Sequence, residues 1–259
     1  MLKVIAITNQ KGGVGKTTTS VNLAASLHAE NKRVLLVDLD PQGNATMGSG
    51  IDKNNLDASV CDVLIEDTDI SDVMVCSEEV GFFVVPSNAD TTAAEVRLLE
   101  LDHREYQLKN ALQRLVGTFD YILIDCPPSL NMLTVNALVA ADSVMIPMQC
   151  EYYALEGLSA LMNTINTIQQ THNPDLYIEG LLRTMYDPRN NLANQVTEQL
   201  CAHFGDKVYQ TSIPRNVRLA EAPSHGVPVL LYDKTSRGAQ AYLALADEML
   251  KKDKENALA

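Results

Sequence analysis

Short apolar runs rich in β-branched residues recur along the chain, and most are followed by a longer stretch with apolar positions at helical spacing. Residues 3 to 8 (K-V-I-A-I-T), 33 to 38 (R-V-L-L-V-D), 81 to 86 (G-F-F-V-V-P), 120 to 125 (D-Y-I-L-I-D), 143 to 148 (S-V-M-I-P-M) and 176 to 182 (L-Y-I-E-G-L-L) are expected as strands, with Lys207 to Gln210 a further candidate. Helical patterns fall at about 16 to 29, 89 to 100, 104 to 116, 130 to 141, 152 to 170, 191 to 204 and 235 to 251. The first run is continuously apolar, as in a strand covered on both faces. Such alternation of strand and helix implies right-handed βαβ crossovers. The expected fold is α/β, a mostly parallel twisted sheet covered by helices on both faces. Ligands of such sheets bind at the carboxyl edge of the strands.

Composition narrows the class. Although 46% of the 259 residues are hydrophobic, no uninterrupted apolar stretch approaches the length of a membrane span, which needs roughly 20 residues. Strand one begins almost at Met1, so no secretory leader is expected. The cysteines, Cys61, Cys76, Cys126, Cys150 and Cys201, are odd in number, widely spaced and without a C-x-x-C, which predicts a reduced cytoplasmic protein. With no repeat, low-complexity tract or long linker, residues 1 to 259 are expected to form one domain without an N-terminal helix-turn-helix extension.

The first strand runs into Q-K-G-G-V-G-K-T-T at residues 10 to 18, which matches the phosphate-binding loop G-x-x-x-x-G-K-[ST] except that Gln10 replaces the opening glycine. Behind it, Val21, Leu23, Ala24, Ala25 and Leu27 mark a helix. Strand, glycine loop and helix N-terminus together aim backbone N–H groups at one point, which suits a polyphosphate. Gly12, Gly13, Val14, Gly15, Lys16, Thr17 and Thr18 are therefore expected to bind nucleotide, the glycines permitting close approach and positive φ angles. Lys16 stands where the P-loop lysine reaches the β and γ phosphates. The second lysine of the loop, Lys11, has no role in that pattern.

Carboxylates collect at the same strand edge. Asp125 ends Y-I-L-I-D in the position of a Walker B acid, which holds Mg²⁺ through water while Thr17 ligates it directly. Asp38 and Asp40 follow the second strand in V-D-L-D-P-Q-G-N. Hydrolysis needs a group that orients the attacking water, and Asp40 is the candidate; the alternative is that the two aspartates cap the turn before Pro41.

Five segments, K-G-G-V-G-K-T-T, D-L-D-P-Q-G-N, I-D-C-P-P-S, Q-C-E-Y-Y-A-L-E-G and I-P-R-N-V-R-L-A-E-A-P-S-H-G, together resemble the ParA/Soj chromosome-partitioning ATPases, within the deviant Walker A group of P-loop NTPases that also holds MinD. The resemblance spans nearly the whole chain. It implies ATP and Mg²⁺ as cofactors and an ATP-bound sandwich homodimer in which Lys11 crosses the interface to the phosphates of the partner's nucleotide, making Lys11, Lys16 and Asp40 the catalytic set. It also implies that Pro214 and Asn216 lie by the adenine, that Glu151 lies near the dimer-facing nucleotide, and that a ParB-like centromere-binding protein stimulates hydrolysis. ATP rather than GTP rests on the resemblance alone.

A net charge of −13 opposes nonspecific DNA binding on bulk electrostatics. Between 183 and 237, however, seven Lys/Arg face five Asp/Glu, leaving 13 basic and 28 acidic residues elsewhere. This contrast permits a local basic face, doubled in a symmetric dimer, for contact with DNA phosphates. Arg189 and Arg218 match positions the family uses for DNA, so a nucleoid-associated protein is expected. A MinD-like, membrane-associated ATPase of division-site placement is the alternative, but the tail D-E-M-L-K-K-D-K-E-N-A-L-A alternates charge and lacks a sustained apolar face. A nitrogenase-type iron protein would need cluster cysteines, for which Cys126 and Cys150 are the candidates; a buried structural thiol is expected at Cys126. A non-hydrolysing scaffold would retain ATP without turnover.

Overall fold

The computed structural model describes residues 2–77 and 79–258. Its core is an eight-stranded sheet in the order β3-β4-β2-β5-β1-β6-β7-β8. The strands are β1 (Lys3–Ile7), β2 (Val34–Asp38), β3 (Val75–Cys76), β4 (Phe83–Val85), β5 (Tyr121–Asp125), β6 (Ser143–Gln149), β7 (Tyr177–Tyr186) and β8 (Val208–Pro214). All pairings are parallel except the short β3–β4 contact. Because β1, β2 and β5 are in register at Ile7, Asp38 and Asp125, the two aspartates sit side by side at the carboxyl edge.

Side chains alternate across each strand, and the sheet carries an apolar layer on each face. Val4 and Ala6 face one layer with α6 (Gln107–Gln113), α7 (Met132–Ala140) and α8 (Ala154–Thr171). Ile5 and Ile7 face the other with α1 (Lys16–Ala29) and α12 (Arg237–Leu258). The C-terminal helix is fixed by more than its apolar stripe of Tyr242, Leu245 and Met249. Lys3 bridges Glu179 and Asp253, and the Glu248 carboxylate accepts the N–H groups of Gln210 and Thr211, covering polar groups of the edge strand β8. The apolar face of the tail helix is thus spent inside the fold. Among the described residues, no helix is long and apolar enough to cross a membrane.

Several boundaries depart from the sequence pattern. Strand β7 continues four residues past Leu182 and β8 four past Gln210, where polar residues interrupt the apolar run although Thr184 and Ile213 are buried. The expected helix at 89 to 100 is α5 (Thr91–Arg97) with a 3-10 turn, and that at 104 to 116 is a 3-10 turn followed by α6. Five short helices were not anticipated: α2 (Asn44–Gly48), α3 (Val60–Ile65), α4 (Ile70–Val73), α10 (Val217–Glu221) and α11 (Val229–Tyr232). Each is shorter than the window over which helical periodicity shows. Helix α9 (Asn191–Phe204) matches its expected limits, whereas α12 runs seven residues beyond 251.

Candidate nucleotide site

The loop between β1 and α1 is held open by its backbone. Gly13 and Gly15 have φ values of 75° and 88°, a left-handed conformation that side chains disfavour. Gly12 does not adopt a positive φ, and a Cβ placed there meets nothing within 4 Å. Gly15 caps α1 without a side-chain hydrogen bond, and the first turn carries no acidic residue. The positive end of the helix dipole and its free N–H groups are left for an anion. At the start of the loop, Asn9 accepts the Lys11 N–H at 3.0 Å and donates to the Pro147 carbonyl at 2.8 Å.

Lys16 folds back over this loop, its Nζ 3.5 Å from the Lys11 carbonyl. Burial lowers its pKa, opposed chiefly by the negative charge of Asp125 and further by that of Asp40. A buried ammonium without a close carboxylate favours an incoming anion. Beside it, Thr17 Oγ1 donates to Asp125 Oδ2 and Ser20 Oγ to Asp125 Oδ1, both at 2.8 Å. Burial, and then the neighbouring charge of Asp38, push the Asp125 carboxyl well above the usual carboxylate range. A cation at this hydroxyl–carboxylate pair relieves that penalty. One hydroxyl and one carboxylate suit Mg²⁺, which keeps several water and phosphate ligands; no group of three or more His, Cys, Asp or Glu able to hold a metal exists among the described residues.

Asp38 and Asp40 part company. Asp38 is fully buried and accepts from Asp40 N–H, Thr46 N–H and Thr46 Oγ1 at 3.1, 2.9 and 2.8 Å. It braces the segment after β2, as the turn-capping alternative foresaw. Asp40 Oδ1 accepts the Gln42 N–H at 2.9 Å, and the carboxylate is close enough to bear electrostatically on both Lys16 and Asp125.

A cavity of about 210 Å³ opens beside the loop, lined by Gly15, Thr18, Met185, Pro214 and Asn216 among others. The loop residues and the distant pair Pro214 and Asn216 therefore share one space. Asn216 Oδ1 also caps α10 by accepting the Arg218 N–H at 2.9 Å. Met185, with φ of 49°, is a non-glycine residue in the left-handed region at the rim of this cavity, the kind of strain that collects at binding sites. Sequence reasoning missed Met185, Thr184 and Gln149 because the strands were expected to end at 182 and 148. Ser20, also missed, was findable: it lies one helical turn beyond Lys16.

Lys11 points elsewhere. Its side chain is 43% exposed and pairs with Glu151 at 2.6 Å, next to the exposed Tyr152 and Tyr153. All five cysteines are free, and Cys126 and Cys150 are buried, with burial raising both thiols.

The basic segment does not form one patch. Arg183 donates to the Tyr209 and Gln210 carbonyls, and Lys207 precedes β8 at the amino end of the sheet. Arg189 and Arg218 lie at the carboxyl end, each matched to acid: Arg189 with Asp187 at 2.8 Å, Arg218 with Glu221 at 2.7 Å and Asp233 at 3.5 Å. Arg215, Lys234 and Arg237 are exposed on segments of that same end.

Residues 2–178 match the family model described as an AAA domain. Among curated proteins, the chain is 57% identical to the sporulation initiation inhibitor protein Soj of Bacillus subtilis, over 96% of this chain and 98% of that one. It is 53% identical to the chromosome partitioning protein ParA of Myxococcus xanthus, over 97% and 89%. Among solved structures, one described as cobyrinic acid a,c-diamide synthase from Mycobacterium smegmatis with bound ATP analogue and magnesium superposes with a TM-score of 0.87 at 40% identity, covering 99% of this chain and 97% of that one.

Proposed function

This chain belongs to the ParA/Soj family of chromosome-partitioning ATPases, and from that premise we propose that ATP switches it between a monomer and a DNA-binding dimer. In this reading Lys16, Thr17, Thr18 and the loop N–H groups of residues 12 to 15 hold the triphosphate, and the base lies in the cavity beside Pro214 and Asn216. Thr17 and Asp125 would hold Mg²⁺, which when bound would neutralise charge on the phosphates. Asp40 orients the water that attacks the γ-phosphorus as the bond to the ADP oxygen breaks. The dimer binds DNA nonspecifically, and hydrolysis stimulated by a ParB-like partner releases it, in a cytoplasmic, nucleoid-associated cycle.

The observation that carries this reading is the outward placement of Lys11. A second loop ammonium, half exposed and held by Glu151, is explained when it completes a site in a facing subunit. Glu151 is its partner until then, and an exposed pair of this kind is readily broken. The higher identity to Soj and ParA than to the M. smegmatis synthase favours partitioning over amide synthesis. Sizing the protein with ATP, with ADP and without nucleotide, each with and without DNA, tests the switch: only ATP should give a dimer, and only that dimer should bind DNA. A monomer under all conditions would sink it.

Gly12→Val probes the facing subunit. Because a Cβ at Gly12 meets nothing within 4 Å, the variant should fold and bind ATP normally yet fail to dimerise. Normal dimerisation would show that the loop does not lie in the interface. The DNA face has its own test. Arg189→Glu and Arg218→Glu should leave ATP-driven dimerisation intact and weaken DNA binding severalfold. Wild-type affinity should fall steeply between 50 and 200 mM salt, by about tenfold or more for a few phosphate contacts per dimer. Both arginines are already paired with carboxylates, so part of their charge is spent locally and the loss should be moderate. Salt-insensitive binding, or full affinity in both variants, would remove these arginines from the interface.

A further inference from the structure

Two carbonyl groups of the phosphate loop are held from outside the motif. Thr184 Oγ1, buried on β7, donates to the Val14 carbonyl at 2.7 Å, and Gln149 Nε2, at the end of β6, donates to the Gly13 carbonyl at 3.1 Å. No cis peptide occurs among the described residues, and in a trans peptide the C=O and the following N–H point in opposite directions. Pinning the Gly13 and Val14 carbonyls toward β6 and β7 therefore turns the N–H groups of Val14 and Gly15 the other way, into the concave side of the loop. Neither N–H has a backbone acceptor among the described residues. Flanked by left-handed glycines at 13 and 15, these peptides have little else to prevent a flip, because glycine populates both signs of φ at similar cost.

We infer that Thr184 and Gln149 are positioning residues of the phosphate loop, donors that preset two consecutive peptides for a polyphosphate. The inference rests on the ATPase reading and adds to it a pair of residues that the loop pattern does not contain. Thr184 has a second duty, since its methyl lies 3.7 Å from where a Gly15 Cβ would stand and it helps line the base cavity. Met185, which follows the donor within β7, has a left-handed φ of 49°.

Thr184→Val keeps the shape and removes only the donor. ATP and ADP affinities should fall about tenfold, the scale of one lost hydrogen bond to a group left buried. Since the loop N–H groups grip ground state and transition state alike, KM should rise with kcat within about twofold. Thr184→Ser, which keeps the donor, should largely restore both, and adenosine, which lacks phosphates, should bind wild type and Thr184→Val equally. A purely structural threonine would lower the melting temperature of Thr184→Val without moving the ATP dissociation constant. Gln149→Leu, at a partly exposed site, should weaken ATP severalfold and serves if the buried variant does not fold. Wild-type ATP affinity in Thr184→Val and Gln149→Leu, or an equal loss of adenosine binding, would overturn the inference while leaving the ATPase reading intact. A wild-type protein that neither binds nor hydrolyses ATP would overturn both.

Discussion

Lys16→Ala is expected to lower ATP hydrolysis by about a hundredfold to a thousandfold, the range seen when one preorganised charge-stabilising donor is removed from a reaction centre, and to abolish ATP-dependent DNA association with it. The geometry says why the loss should be in function and not in folding. The Lys16 ammonium is buried, its only hydrogen bond among the described residues is the 3.5 Å contact to the Lys11 carbonyl, and burial depresses its pKa. Such a group costs the folded protein more than it returns until an anion arrives. The variant should therefore melt no lower than wild type while losing turnover. Phosphate release in single and multiple turnover, alongside a thermal melt, measures both halves. Unchanged turnover would sink the assignment of the loop; lost turnover with a collapsed melt would mean that Lys16 supports the fold instead.

Much of this site was legible because its chemistry is local. Residues 10 to 18 carry strand, loop and helix start in one uninterrupted segment, and the carboxylates at 38 and 125 close their apolar runs, so a parallel register brings them together without further information. What was not legible depends on long-range contact. Nothing in the run S-V-M-I-P-M-Q suggests that Gln149 reaches the Gly13 carbonyl, and Thr184 became a loop support only because β7 extends beyond its apolar stretch. Asp38 shows the reverse. Its position in D-L-D-P-Q-G-N allowed either chemistry or bracing, and only the hydrogen bonds to Thr46 separate it from Asp40.

Charge was the least legible property. Counting Lys and Arg from 183 to 237 suggested a basic face, but a count ignores which end of a strand each residue occupies. Arg183 serves β8 and Lys207 belongs to the opposite end of the sheet. Arg189 and Arg218 do share the carboxyl end, yet each brings its own carboxylate. An excess of cation over acid in sequence is therefore not a free positive surface in space. At Arg189 and Arg218 it becomes one where a stronger anion, such as a phosphate, displaces the local acid; Arg215, Lys234 and Arg237, exposed at the same end, form no ion pair among the described residues.

Asp40→Ala should produce the opposite phenotype from Lys16→Ala: ATP affinity retained, hydrolysis slowed about a hundredfold or more, and the ATP dimer accumulating on DNA. A residue that orients the attacking water stabilises the transition state and little else, so kcat should fall with ATP affinity nearly unchanged. Asp40 Oδ1 also accepts the Gln42 N–H, so alanine removes a turn contact as well as a charge. Asp40→Asn separates the two, keeping an oxygen acceptor for Gln42 while losing the carboxylate; it should hydrolyse as slowly as the alanine variant if water orientation is the role, and near wild-type speed if the turn is. Because a dimer joins two weak DNA faces, avidity should lengthen residence on nonspecific DNA in proportion to the lifetime of the ATP state. Lys11→Ala provides the contrast. Its loss frees Glu151 within the monomer and removes the ammonium proposed to cross the interface, so dimerisation and DNA binding should fall together while the monomer still binds ATP. Sedimentation in ATP and DNA residence times for the three variants measure the coupling. Should Asp40→Ala and Asp40→Asn leave DNA as fast as wild type, or Lys11→Ala dimerise normally, assembly is not gated by the phosphates, and a scaffold that keeps its nucleotide becomes the better description.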